Sequence, residues 1–162
     1  VFWNRNTMAF RFIRQRGTVQ ATPVIIKVPG SGVIHPGGIV EFHRGTNNNR
    51  VEPASSGTTY TNIFGISLDY IQGASDAYIR VIPFAPGQLW EAECANIGAT
   101  NQLFIRHALS SSTVLNNSST NVNAATGVFI AYSIAKTFYA GLSTSTFRLI
   151  GEFIRSPGSY SL

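Results

Sequence analysis

Hydrophobic and polar positions alternate along most of the chain in short runs with a period of two, and proline, glycine or small polar residues interrupt each run within a few positions. That pattern predicts strands and turns rather than helices. A β-branched strand, VIIKV, lies between Pro23 and Pro29-Gly30, and two further β-rich pieces flank Pro36-Gly37-Gly38. NIFGISLDYIQG and AYIRVIPF are strands separated by the turn material GASD. Pro86-Gly87 then suits the centre of a β-turn, because proline presets φ and glycine accepts a positive one. QLWEAECA is therefore the return strand, with Leu89, Glu91 and Glu93 on one face and Trp90, Ala92 and Cys94 on the other. The apolar face is expected inside and both glutamates outside.

NQLFIRHAL makes another strand, whereas TNNNRVEPASSGTT and SSSTVLNNSSTNVNAAT have loop composition. The alanines of GVFIAYSIAKTFYAG suit a helix, but Val128, Ile130, Tyr132, Ile134 and Phe138 fit a period of two, and aromatic and β-branched content favours a strand. TFRLIGEFIRS closes the chain's pattern, with Gly151 predicted at a bulge or bend. The first seventeen residues mix bulky apolar side chains with arginine in no clean period; Phe10 and Phe12 alternate, and Ile13 is out of step. The expected architecture is all-β: a single β-barrel or sandwich domain over residues 18–162, preceded by an extended basic N-terminal arm over residues 1–17.

Charge sharpens the picture of the arm. The chain has 162 residues and a net charge of +5. All of the excess lies in residues 1–40, which carry Arg5, Arg11, Arg14, Arg16 and Lys27 and no acidic residue. Charged residues make up only 12% of the chain, about half the usual share of roughly 25%, which suits a protein whose faces meet neighbours. Arginines interleaved with aromatics fit pockets and acidic patches on another protein. Phe2, Trp3, Arg5, Phe10, Arg11, Phe12, Arg14 and Arg16 are therefore the candidate partner-binding residues. Single-stranded nucleic acid is the competing target for the same composition, and a solvated tail would leave the apolar side chains unexplained.

The candidate chemistry is sparse. Glu91 and Glu93 share one strand face, but an acid–base pair flanks a bond from opposite walls of a cleft. A metal site is conceivable if a hairpin brought His35 opposite Glu41 or His43, yet three or four convergent ligands are needed and His107 is far along the chain. Pro29-Gly30-Ser31-Gly32 reads as a turn, since no helix follows to complete a phosphate cradle. The sole cysteine, Cys94, excludes an intramolecular disulfide and fits a core position. No run is long and apolar enough for a membrane helix, and the arginine-rich start lacks the pattern of a signal peptide. We expect no enzyme, no cofactor, no metal and no membrane partner.

The stretch NIFGISLDYIQGASDAYIRVIPFAPGQLWEAECA resembles the body of tailed-bacteriophage capsid decoration proteins, also called head-stabilising or cement proteins. The residues that carry the likeness are Gly65 with Ile66, then Val81 and Pro83, then Trp90 and Glu91, and it extends over residues 60–106. The resemblance implies a structural virion protein on the capsid surface that binds the major capsid protein and copies of itself as an oligomer. A non-catalytic carbohydrate-binding β-module is the alternative, because Tyr and Trp on a β-face can stack on sugars.

Overall fold

A computed structural model describes residues 10–15, 22–28, 32–42, 50–73, 77–95, 103–118, 125–135 and 148–154. Thirteen strands appear in it: β1 Phe10–Gln15, β2 Val24–Lys27, β3 Val33–Ile34, β4 Ile39–Phe42, β5 Val51–Pro53, β6 Ile63–Ser67, β7 Ile71–Gln72, β8 Tyr78–Pro83, β9 Gln88–Glu93, β10 Arg106–Ser111, β11 Val114–Asn116, β12 Phe129–Ile134 and β13 Arg148–Phe153. Six form one antiparallel sheet in the order β1-β9-β13-β12-β10-β11. Five form a second, β2-β8-β6-β4-β5, and β3 pairs with β7 in a small ribbon. The domain is all-β and sandwich-like.

Alternation explains why the two large sheets face each other. Phe10, Trp90, Leu109, Phe129, Leu149 and Phe153 from the six-stranded sheet and Ile39, Ile63 and Ile66 from the five-stranded one fill a common core. Phe153 is its hub: its ring stacks on Phe84 at 4.0 Å and meets Phe129 edge-on at 4.9 Å and Phe10 at 5.4 Å. Such aromatic pairs add about 0.5–1.5 kcal/mol each beyond the area they bury. A second cluster, with Val40, Phe64, Ile79 and Val81, is closed over by Ile34 and Ile71 of the ribbon. The five-stranded sheet is thus apolar on both faces, which is why every residue of β6 is buried.

Both sheets curl. An isolated parallel bridge joins Cys94 to Leu115, bringing β11 against the end of β9, and another joins Lys27 to Arg50 across the edges of the five-stranded sheet. The irregularity expected at Gly151 lies instead in the facing strand, between Ala131 and Ser133 of β12, and Gly151 is a point of close backbone approach: a Cβ there would lie 1.9 Å from the Ile130 carbonyl oxygen. At the Pro86-Gly87 turn Gly87 takes φ 86° and the Gln88 N–H donates to the Ala85 carbonyl.

Several expectations change. The supposed loops contain strands, β5 in the first and β11 in the second, the latter forming a hairpin with β10. Residues 127–135 do include a strand, but its inner face carries Phe129 and Ala131, while Ile130 and Tyr132 look outward. Above all, part of the N-terminal arm belongs to the domain, since β1 is a strand of the six-stranded sheet and Phe10 is 1% exposed. Phe10 has its pocket within its own chain, and backbone pairing with β9 holds residues 10–15 there. Residues 1–9, 16 and 17 of the expected arm lie outside the described residues.

Candidate functional site

The described part of the basic, aromatic segment is an edge strand, so each side chain's role follows from its register. Phe10 is opposite Ala92 and Phe12 opposite Trp90, on the core side. A bulge between Phe12 and Arg14 accommodates Ile13, which is why that residue breaks the alternation. Phe12 meets the Trp90 ring edge-on at 5.2 Å, yet Phe12, Ile13 and Arg14 are all exposed. The strand's end is tied down by Gln15, whose amide donates to the Pro86 carbonyl at 3.2 Å.

Arg11 stands opposite Glu91 on the outer side, and its guanidinium donates to Glu91 Oε2 at 2.6 Å. From the other side of β9, Arg148 donates to Glu91 Oε1 at 2.5 Å and lies 3.7 Å from Glu93 Oε2. Glu91 therefore points away from the core, as alternation requires, but it is only 3% exposed. The expectation of a solvated glutamate is corrected: neighbouring strands supply two guanidinium groups that cover it. A carboxylate removed from water needs such pairing to offset its lost hydration. Both oxygens accept from arginine, so the pair Glu91 and Glu93 has the geometry of a clamp between three strands.

The eight candidate residues divide accordingly. Phe10 fills the core, Arg11 closes the ion pair, and Phe12 and Arg14 remain at the surface. Phe2, Trp3, Arg5 and Arg16 lie outside the described residues. The contribution of Arg148 was missed, because a strand's own sequence does not state which neighbour it will pair with.

A second polar cluster lies at the start of β8. The Arg80 guanidinium donates to Asp69 Oδ1 at 2.6 Å and Oδ2 at 3.1 Å, and the Arg80 backbone N–H also reaches Oδ2 at 2.8 Å. Hydrogen bonds from that guanidinium hold the Asp69 carboxyl below its ordinary range, against a smaller opposing effect of burial. Tyr70 and Tyr78 are exposed nearby in sequence; the His35 ring is tilted against Tyr70, and the Lys27 ammonium lies 5.8 Å from the Tyr78 ring centre. Of the imagined metal ligands, His35 is exposed, Glu41 and His107 are buried, and His43 is outside the described residues. No group of three or more potential metal-binding His, Cys, Asp or Glu side chains occurs among the described residues. No protein-family model matches the chain, and a search of curated proteins found no match.

Proposed function

We propose that the chain is a non-catalytic structural virion protein that binds and stabilises the outside of an assembled phage capsid, through its β-domain and the basic, aromatic N-terminal segment. The observation that supports this reading is the outer edge of β1. Phe12, Ile13 and Arg14 are exposed on a strand that pairs only with β9 among the described strands, within the part of the sequence that holds the whole charge excess. An edge strand with aromatic and arginine side chains offers a neighbour both backbone hydrogen bonds and anchors. The partners are the major capsid protein and further copies of the chain, and the location is the capsid surface. Glu91 is engaged by arginines rather than poised opposite a second carboxylate, which fits a structural role.

A second reading, a carbohydrate-binding module, is favoured by the exposed rings of Tyr70 and Tyr78. Cosedimentation with undecorated phage heads separates the possibilities, with single-stranded DNA and a glycan array as parallel probes. Deleting residues 1–9 keeps β1 and should weaken head binding by at least about tenfold, and Phe12→Ala should do likewise. Salt-sensitive DNA binding without head binding overturns the proposal in favour of nucleic acid, and glycan binding lost in Tyr70→Ala and Tyr78→Ala overturns it in favour of sugar.

A further inference from the structure

The outer face of β10, β12 and β13 carries an unused pattern. Across the three strands, in register, stand Arg106, Ile130 and Glu152. One step along, the Phe104 N–H donates to the Ala131 carbonyl at 2.7 Å and its ring lies 6.3 Å from that of Tyr132, with Ile150 next across the sheet, opposite Ser133. The intervening residues His107, Phe129, Ala131, Leu149 and Gly151 are buried, so alternation directs the five strand side chains away from the core, and the ring contact with Tyr132 places Phe104 on the same outer side.

Phe104 is the residue that asks for an explanation. It is 71% exposed, and at φ 63° it is the single non-glycine residue with positive φ among the described residues. The left-handed conformation is unfavourable for any side chain with a Cβ and is tolerated where something is gained by it. Here it holds a bare aromatic ring over an apolar row. Beside it Arg106 is exposed and forms no ion pair among the described residues. Glu152 Oε2 accepts from the Tyr132 hydroxyl at 2.8 Å, which leaves Oε1 for another donor.

The order across the strands is cation, apolar, anion, with about 10 Å between the outer two backbones. Place a second copy face to face about a two-fold axis parallel to β12, and left and right exchange. Ile130 meets Ile130 and Tyr132 meets Tyr132, Phe104 of one copy covers Ile150 of the other, and each Arg106 faces the opposing Glu152 twice over. A self-complementary patch of this kind is what an isologous contact requires. We propose that this face is the interface of a two-fold dimer of the chain. The proposal stands on register and charge order, independently of the capsid reading.

Sedimentation equilibrium of the full chain tests it. Arg106→Glu would set carboxylates against each other and should weaken self-association by at least about tenfold, while Arg106→Glu with Glu152→Arg restores the opposite-charge contacts and should return the constant to within about threefold. Phe104→Gly removes the anchor and suits the left-handed backbone, so it should dissociate the dimer without lowering the melting temperature measured at dilutions where both proteins are monomeric. A chain that is monomeric at about 100 µM, about 5–6 kcal/mol of association on a molar scale, overturns the proposal. So does a dimer that Arg106→Glu leaves intact, or one that the double variant fails to restore.

Discussion

Glu91 is held by Arg11 and Arg148 from the two strands that flank β9. Glu91→Gln would leave two guanidinium groups facing a neutral amide. Because the Arg11 side chain is 43% exposed, water screens part of that loss, and the expected destabilisation is about 1–3 kcal/mol by denaturant unfolding. A change under about 0.5 kcal/mol, the usual effect at an exposed site, would show the clamp to be idle. Cys94, the residue after β9, makes a different test. Burial pushes its thiol up to about 12. The thiolate is the reactive form, so at pH 8 iodoacetamide should label the protein only as it unfolds, and labelling at the rate of a free thiol in the folded protein would contradict the burial.

At the scale of elements, β1 converts an expected appendage into part of the sheet. Phe10→Ala should cost about 3–5 kcal/mol, as for other buried phenylalanines, and Phe12→Ala clearly less because that ring is already partly in solvent. Equal, negligible losses in the two variants would put the boundary of the domain back after residue 17. The strand was hard to read because Arg11 and Arg14 sit among its apolar positions and Ile13 occupies the bulge. By contrast, the return strand after Pro86-Gly87 was legible down to its faces, since turn chemistry and alternation agree there. β5 and β11 have three residues each and acquire their strand character from pairing with β4 and β10, a property of the partner as much as of the sequence. β12 was legible as a strand but not by face: Ile130 and Tyr132 of the expected period are outside, and Phe129 and the small Ala131, opposite Gly151, are inside.

At the scale of the molecule, the frequent Pro/Gly breaks and period-two runs made the all-β class legible, whereas the order of strands within each sheet was not, because pairing between distant segments leaves no local mark. That order also governs how the chain can be assembled as it is synthesised. Every strand of the five-stranded sheet lies between Val24 and Pro83, so a nascent chain that has emerged that far already holds the whole of it. The six-stranded sheet is different: its first strand must wait for β9, more than seventy positions later, and β9 acquires its second neighbour only with β13, at the far end of the described chain. Until then Phe10 has no Phe153 to pack on and Glu91 has only one of its two arginines. The earliest of the described strands to be synthesised is thus among the last to find its complete surroundings, and for that interval its apolar side chains are available to chaperones or to another molecule of the same kind.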